Sequence, residues 1–308
     1  MKTVFLFSGQ GSQYPGMGAE LAEKSSAAKQ ILECGSDIMG FDLAKKLSDS
    51  TPEELAQTRL SQPAIFTTSL LALAAARENG IDNCAAAGHS LGEYAAMYAS
   101  GMLGMEDAFK AIKLRAAAMA EAAEATGGSM AAIIGSDNET IAKVCEEVNG
   151  FCAPANYNSP QQTVVAGAPE ALQELDVLVK EAGGRAMKVA VSGAFHSPYM
   201  AEATEGLATY IQDGHAPSPL LIPVMANMTA APYPADPQTA SEVLANQVSH
   251  AVRWVDTLHA LQDQGIDTFI EVGPGKTLSG LVKRTLSDVR VYSCETAEQV
   301  AAIADELA

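Results

Sequence analysis

The sequence predicts an α/β fold made of a large body and a smaller inserted unit. Short apolar runs such as Thr3–Phe7 and Thr268–Val272 alternate with longer helical patterns, as in buried strands joined by helices. After Gly127-Gly128 the pattern changes to a closer succession of strands. The length of 308 residues is enough for about two units of ordinary domain size.

Residues 1–125 begin the large body. The first strand, Thr3–Phe7, ends in a polar, glycine-bearing loop that contains Gln10. Pro63 fits the first turn of a helix, and Gly80 fits its end. The predicted elements after the first strand are helices around 17–33 and 63–79, a strand at Cys84–Ala87, a helix at Glu93–Ser100 and an Ala-rich helix from about Glu106 to Ala125.

Residues 126–192 are predicted to form the inserted unit. Their pattern gives strand, helix, strand, strand, helix and strand, which is the order of a split βαβ or ferredoxin-like unit. The chain then returns to the large body over residues 193–308. The predicted elements of the inserted unit are strand 128–135, helix 138–149, strands 151–157 and 162–167, helix 169–182 and strand 185–192.

The composition excludes several classes of protein. Lysine and arginine number 19 against 37 aspartates and glutamates, so the net charge of −18 disfavours nucleic acid and anionic membranes as partners. No stretch approaches the roughly 18 apolar residues of a membrane helix, and the N-terminal apolar run is too short for a secretion signal. Five irregularly spaced cysteines without a Cys-x-x-Cys pair predict free thiols. We therefore expect a soluble, cytoplasmic protein without a metal site.

Two glycine-containing turns match nucleotide-binding motifs only in part. Gly9-Gln10-Gly11 follows a strand, but Tyr14 stands where the third glycine of a dinucleotide fingerprint belongs. Gly275-Lys276-Thr277 matches the end of a P-loop, but Ile270 stands where its first glycine belongs. The sequence therefore supports neither NAD nor ATP.

The segment Gly88-His89-Ser90-Leu91-Gly92 fits the pattern G-x-S-x-G between a predicted strand and a predicted helix. This is the nucleophile elbow of α/β-hydrolase-like proteins, in which glycines let the strand and the helix approach closely. The turn presents the Ser90 hydroxyl above the sheet and places the Leu91 N–H to bind a developing oxyanion. The large body is therefore predicted to be α/β-hydrolase-like, with Ser90 as nucleophile. The alternative is that Ser90 only caps the helix.

A nucleophilic serine needs a base, and the sequence has five histidines. His89 adjoins Ser90, and neighbouring side chains at such a turn diverge. His196 follows a predicted strand through a small-residue loop, where active-site groups are commonly presented, so it is the favoured base. The third member of a catalytic triad, an acid, is not evident. Of the other histidines, His215 lies in a Gly/Pro loop, His250 lies near the start of a helix, and His259 lies in a helical pattern.

Arg115 lies inside the long Ala-rich helix, and most helical arginines are solvated. Three alanines and Met119 give its face an unusually small and apolar character. The guanidinium can extend from such a face to solvent, or it can hold a carboxylate through two N–H donors. The pattern alone leaves both possibilities open.

The motifs together resemble one family, the malonyl-CoA:acyl carrier protein transacylases. The resemblance covers essentially the whole chain, in the family's order and close to its spacing. The matching segments are Phe7-Ser8-Gly9-Gln10-Gly11-Ser12-Gln13, Gly88-His89-Ser90-Leu91-Gly92-Glu93-Tyr94, Arg115 with Met119, Asn156-Tyr157-Asn158-Ser159-Pro160, Gly193-Ala194-Phe195-His196-Ser197-Pro198, Asn246-Gln247-Val248 before Val252-Arg253-Trp254, and Glu271-Val272-Gly273-Pro274-Gly275.

The resemblance implies ping-pong transfer of a malonyl group from malonyl-CoA to the phosphopantetheine thiol of acyl carrier protein, in fatty acid biosynthesis. Ser90 would carry the malonyl group, with His196 as base. The main-chain carbonyl of Gln247 would orient His196, which would account for the missing acid. The N–H groups of Gln10 and Leu91 would form the oxyanion hole, and Arg115 would bind the malonyl carboxylate. The implied supporting residues are His89, Met119, Asn156, Asn158 and Phe195.

Two residues depart from the family pattern. Ser8 replaces the proline common before Gly-Gln-Gly, and Ala116 follows Arg115 where glycine is common. The alternative functions are a free-standing acyltransferase of a polyketide pathway, a malonate decarboxylase component, a serine acyl hydrolase and a non-catalytic carrier-binding module. We expect no cofactor apart from malonyl-CoA as substrate. Because no apolar interface stripe is evident, we also expect a monomer.

Overall fold

The computed structural model describes residues 2–212, 217 and 221–307 of the chain. Its strands are β1 Thr3–Phe7, β2 Ala85–Gly88, β3 Ser129–Ile134, β4 Cys152–Ser159, β5 Gln162–Gly167, β6 Arg185–Lys188, β7 Val224–Ala226, β8 Ala231–Pro232, β9 Thr268–Val272 and β10 Arg290–Cys294. Its α-helices are α1 Ala19–Lys24, α2 Ala28–Met39, α3 Leu43–Asp49, α4 Pro52–Leu55, α5 Thr58–Glu78, α6 Gly92–Ala99, α7 Met105–Thr126, α8 Asn138–Glu147, α9 Pro169–Glu181, α10 Ala201–Gln212, α11 Pro237–Asn246, α12 Trp254–Asp263, α13 Thr277–Thr285 and α14 Ala297–Leu307. Short 3₁₀-helices cover Pro198–Met200 and Gln247–Ser249.

A six-stranded sheet in the order β10-β9-β1-β2-β7-β8 forms the centre of the larger part of the mixed α/β fold. All of its neighbouring pairs are parallel except β7 with β8. Side chains of β1 alternate between two cores, with Phe5 and Phe7 on one face and Val4 and Leu6 on the other. Both faces of this sheet are therefore covered, as expected for parallel strands.

The edge of the sheet that carries the strand ends positions the site. The pairing of Phe7 with Gly88 brings the ends of β1 and β2 side by side. Because β7 also runs parallel to β2, its end lies at the same edge. The loops that follow β1, β2 and β7 therefore meet, which is where open α/β sheets commonly bind ligands.

A second, antiparallel sheet has the order β4-β5-β3-β6. Helices α8 and α9 pack on it through buried residues that include Ile141 and Leu175. The succession β3-α8-β4-β5-α9-β6 agrees with the order predicted for this segment. The last strand ends at Lys188 rather than at residue 192, because the Val191 N–H turns back to the Val189 carbonyl at 2.9 Å.

The edge strand β4 joins the second sheet to the larger part of the fold. Val252, just before α12, donates its N–H to the Ala155 carbonyl at 2.8 Å and accepts the Tyr157 N–H at 2.9 Å. Asn156, between them, pairs with Val252 in an isolated parallel bridge. These main-chain bonds fix β4, and the asparagines that it carries, beside the first sheet.

The helix predicted around 17–33 is in fact two helices, α1 and α2. Ser25 ends α1 in an extended conformation, with φ −80° and ψ 134°. The Glu78 carboxylate accepts the Ser25 hydroxyl at 3.1 Å and the Ser26 N–H at 3.0 Å. This long-range contact ends α1 at a point where the apolar spacing of the sequence continues.

The prediction that Pro63 lies in a first helical turn is wrong, because α5 begins at Thr58. A proline inside a helix costs about 3 kcal/mol, since it lacks the N–H that the helix needs. Burial offsets that cost, because every residue from Leu60 to Leu73 is buried. The Thr67 hydroxyl also bonds to the Pro63 carbonyl at 2.7 Å.

Within the described ranges, no helix has both the length and the apolar character needed to cross a bilayer. All five cysteines are free thiols. His215 lies outside the described residues, as do residues 218–220 of the proline-rich connection that the sequence indicates after α10.

Candidate active site

The turn between β2 and α6 presents Ser90. Its main chain has φ 53°, a left-handed conformation that non-glycine residues adopt only at a cost in free energy. The flanking glycines permit close approach, because a Cβ at Gly88 would lie 1.9 Å from the Gly92 carbonyl carbon. A Cβ at Gly92 would lie 2.0 Å from the Phe7 carbonyl oxygen. The strand and the helix can therefore cross only where both residues lack a side chain.

Replacing Gly92 with alanine is expected to prevent folding to the native state, because the added methyl group would meet main-chain atoms of the central strand. Soluble yield and thermal unfolding by circular dichroism would measure this. Gly206→Ala is the matched control, because its Cβ would meet no atom within 4 Å inside α10. That control should stabilise the protein by about 0.5–1 kcal/mol. A Gly92→Ala protein that melts like the wild type would contradict the steric argument.

Ser90 and His196 are in direct contact. Ser90 Oγ lies 2.6 Å from His196 Nε2. His196 Nδ1 lies 3.1 Å from two main-chain carbonyl oxygens, those of Gln247 and His250. Because carbonyls only accept, Nδ1 carries the proton and Nε2 is free to accept the Ser90 proton. Within the described part of the chain, carbonyl groups thus take the place of the carboxylate in a conventional triad.

His196 is kept neutral by its surroundings. It is 4% exposed. Burial, the positive charge of Arg115 and the nearby His89 together lower the pKa of His196 to about 3. At neutral pH the imidazole is therefore neutral, with its one proton on Nδ1, which is the form that can accept a proton at Nε2.

Arg115 lies behind Ser90 and is 1% exposed. One terminal nitrogen donates to the Gln62 side-chain oxygen at 2.8 Å, and the other donates to Ser90 Oγ at 3.0 Å and to the Gln247 side-chain oxygen at 3.1 Å. These partners are neutral, and Nε has no hydrogen-bond partner among the described residues. The solvated alternative for Arg115 is excluded, and the site contains a buried cation that can pair with an anion delivered to Ser90.

The loop after β1 brings Gln10 beside Ser90. Gly9 allows this, because a Cβ there would lie 2.5 Å from the His89 carbonyl oxygen. Leu91, the residue before α6, lies at the N-terminus of that helix and is buried. Main-chain N–H groups at a helix N-terminus favour negative charge, so this corner can stabilise an oxyanion.

A cleft of about 340 Å³ opens onto Ser90 and His196 between the two sheets. The second sheet contributes Asn156 and Asn158, and Asn158 Oδ1 lies 2.8 Å from His89 Nε2. Leu91, Arg115 and Gln247 lie behind the cleft surface rather than on it. The predicted site residues that line the cleft are Gln10, His89, Ser90, Met119, Asn156, Asn158, Phe195 and His196.

A second groove, of about 400 Å³, lies between β3, β6 and α9. It is lined by residues such as Leu172, Asp176 and Lys188 and contains none of the predicted site residues. It lacks the pairing of a hydroxyl with an imidazole, so the smaller cleft at Ser90 is the candidate active site.

The structure adds residues to the site that sequence reasoning missed. Asn227, directly after β7, accepts the Ser90 N–H through Oδ1 at 2.7 Å. Glu93, in the first turn of α6, accepts the Asn227 N–H at 2.9 Å and the Tyr233 hydroxyl. A polar residue directly after a short apolar run was the available signal for Asn227, given that parallel strand ends share one edge. The sequence had no comparable signal for Tyr233.

Comparisons with known proteins identify the family of this chain. The model of the acyl transferase domain family matches residues 4–304. The malonyl CoA-acyl carrier protein transacylase of Bacillus subtilis (strain 168) is 38% identical over 309 residues, which cover 96% of this chain and 95% of that protein. The chain therefore belongs to the acyl transferase domain family.

Solved structures show the same similarity. The malonyl CoA-acyl carrier protein transacylase of Coxiella burnetii superposes with a TM-score of 0.95 at 32% identity, covering 100% of this chain and 98% of the other. A malonyl-transacylase solved in complex with its type II PKS acyl-carrier protein superposes with a TM-score of 0.94 at 32% identity, covering 99% and 100% of the two chains.

Proposed function

We infer that this protein is an acyltransferase that moves the malonyl group of malonyl-CoA to the phosphopantetheine thiol of acyl carrier protein, in fatty acid biosynthesis. Relatives named malonyl CoA-acyl carrier protein transacylase are 35–38% identical to this protein over nearly the whole chain. The observation that carries the inference is the contact of a buried guanidinium with the nucleophile, Arg115 to Ser90 Oγ at 3.0 Å. An acyl group with its own carboxylate, such as malonyl, places an anion at that cation.

In the first proposed half-reaction, Ser90 Oγ gives its proton to His196 Nε2 and attacks the thioester carbonyl carbon. The N–H groups of Gln10 and Leu91 stabilise the oxyanion that forms. The carbon–sulfur bond then breaks, and the CoA sulfur takes the proton from His196. The product is malonyl-Ser90, and its carboxylate pairs with Arg115.

In the second half-reaction, the phosphopantetheine thiol of the carrier enters the cleft. His196 accepts the thiol proton while the sulfur attacks the malonyl ester carbon. The ester bond breaks and Ser90 Oγ recovers its proton from His196. The reaction consumes malonyl-CoA as a substrate and uses no cofactor. The main-chain carbonyl of Gln247 keeps the histidine tautomer correct in both halves.

A direct test follows the mass of the protein. With malonyl-CoA alone, the intact chain is expected to gain one malonyl group, located on Ser90 by peptide mapping. Adding holo-acyl carrier protein should remove that group and place it on the carrier. A wild-type protein that never acquires the adduct would contradict the proposal, and release of malonate in the presence of saturating carrier would favour the acyl hydrolase.

A polyketide pathway remains the second candidate, because one superposed structure holds a type II PKS acyl-carrier protein. The chemistry at Ser90 is the same in both pathways. Transfer rates to a fatty-acid carrier and to a polyketide carrier, measured side by side, distinguish them. A preference for the fatty-acid carrier is expected.

The His196 imidazole is expected to stay neutral from neutral pH down to below about pH 6, where an ordinary histidine would already be mostly protonated. His196 must be neutral to accept the Ser90 proton, and its pKa is lowered to about 3. Protonation of His196 is therefore postponed to more acidic solution. NMR titration of the His196 ring, assigned by comparison with His196→Ala and with circular dichroism to verify folding, follows this group alone, whereas the rate would also respond to Glu93, whose pKa burial raises to about 7. A titration of the His196 ring near the ordinary histidine value would contradict the prediction.

We also propose the finer division of the fold: an α/β-hydrolase-like large subdomain, residues 1–125 and 193–308, and a ferredoxin-like small subdomain, residues 126–192. The order β4-β5-β3-β6 with antiparallel pairing supports a ferredoxin-like small subdomain. The strand–turn–helix at Ser90 supports an α/β-hydrolase-like large subdomain. A monomeric state and a cytoplasmic location stay predictions.

A further inference from the structure

Glu93 is a buried carboxyl group at the centre of a hydrogen-bonded network behind Ser90. It is fully buried and lies three residues after Ser90. Three donors point at it: the Tyr233 hydroxyl, the Asn227 N–H at 2.9 Å and the Gln247 side-chain amide at 3.4 Å. A carboxylate can accept all three, whereas a buried carboxylate without donors would be costly.

Two of these partners hold the main chain of Ser90 from opposite sides. The Asn227 side chain accepts the Ser90 N–H at 2.7 Å and donates to the Gly88 carbonyl at 2.7 Å. The Gln247 side chain donates to the Ser90 carbonyl at 2.7 Å. Both main-chain polar groups of the nucleophile are thus bonded to side chains of two residues that Glu93 in turn holds, Asn227 through its main-chain N–H and Gln247 through its side-chain amide. This arrangement opposes relaxation of the unfavourable φ of 53° at Ser90.

The same network reaches the other two groups of the site. Gln247 offers its main-chain carbonyl to His196 Nδ1 at 3.1 Å and its side-chain oxygen to Arg115 at 3.1 Å. Glu93 therefore contacts, through one residue, the nucleophile, the histidine and the guanidinium.

We propose that Glu93 and Asn227 are positioning residues, which fix the Ser90 turn and Gln247 in the geometry that acyl transfer requires. The proposal deepens the proposed function and rests on it for the identity of the acyl group. Burial raises the pKa of Glu93 to about 7, against the opposing effects of its three donors and of the Arg115 charge. Neither residue lines the cleft, so their effect must pass through Ser90 and Gln247.

The test compares Glu93→Gln with the wild type. The glutamine amide would present N–H groups where three donors already point, so the network must rearrange. We expect kcat for malonyl-Ser90 formation to fall by about 10- to 100-fold, the size of effect that a small misplacement produces. KM for malonyl-CoA should stay within about twofold, because no substrate contact is removed. Asn227→Ala should act alike, and the double variant should lose little more than the worse single variant, because both act through one network.

A second readout keeps the inference separate from the proposed function. An alkyl fluorophosphonate reacts with an activated serine whatever the natural acyl group is, so its labelling rate at Ser90 reports the positioning alone. Glu93→Gln and Asn227→Ala should both slow this labelling. If wild-type protein takes the probe but no malonyl group, the proposed function fails and the positioning role still stands or falls on the variants.

Loss of stability is controlled with Ile303→Ala, which opens a cavity in the core beneath α14, a helix that packs on β10, α5 and α1. It should lower Tm and leave both rates unchanged at a temperature well below Tm. Glu93→Gln with a lowered Tm but wild-type kcat and labelling rate would overturn the inference. If Glu93→Gln does not fold, the same comparison is made with Asn227→Ala and decides the matter.

Discussion

Replacing His196 with alanine is expected to slow malonylation of Ser90 by about 10²–10⁴-fold, the usual contribution of a positioned general base. His196 Nε2 lies 2.6 Å from Ser90 Oγ, and two carbonyls hold the other ring nitrogen. Without the imidazole, the Ser90 proton has no acceptor at that distance among the residues that the structure describes. Single-turnover measurement of the malonyl-Ser90 adduct by mass gives the rate directly.

The matched control is His259→Ala, because His259 lies on α12 and its side chain is exposed. It should malonylate Ser90 at the wild-type rate. A His196→Ala protein that is folded and forms the adduct within about threefold of the wild-type rate, far less than a lost general base costs, would show that another group takes the proton.

Arg115→Ala is expected to remove the preference for malonyl-CoA over acetyl-CoA. One charge-assisted pair of roughly 1.5–3 kcal/mol corresponds to a factor of about ten to a hundred between the two substrates. The acetyl group has no carboxylate, so it loses no such pair. The ratio of kcat/KM for the two thioesters, measured on the same preparation, is the quantity to compare.

Arg59→Ala is a suitable control, because Arg59 is half exposed and forms a surface ion pair with Glu121 at 3.1 Å. It should leave the substrate ratio unchanged. Arg115→Lys should fall between the wild type and Arg115→Ala, since a lysine retains the charge but not the two-pronged donor geometry. An unchanged ratio in Arg115→Ala would mean that another group binds the carboxylate.

The sequence predicted the elements best where burial is uninterrupted. The strand Thr268–Val272 was predicted residue for residue, because a run of apolar and β-branched residues between polar segments leaves little choice. The start of α5 and the break after α1 were not predictable in the same way. Burial of residues 60–73 of α5 and the bond of Ser26 to Glu78 decide them, and both depend on the folded tertiary structure.

The same distinction applies to the site. Ser90 and His196 could be found because each follows a strand in a glycine-containing loop, a pattern with a chemical reason. Arg115 stayed undecided until its burial was known, since local sequence does not show which helix face is covered. Glu93 was visible only as part of a motif, because its partners Asn227 and Tyr233 are 134 and 140 residues away in sequence.

The left-handed main chain at Ser90 and His196, with φ 53° and 57°, also limits how this enzyme can be engineered for heat resistance. A non-glycine residue in that conformation costs about 1–2 kcal/mol. Glycine at either position would relieve the cost but would remove the reacting group. Selection for thermal stability alone would therefore favour the loss of activity at these two positions. Thermostable variants have to draw their gains from elsewhere, for example from helix positions with room for a methyl group, such as Gly206.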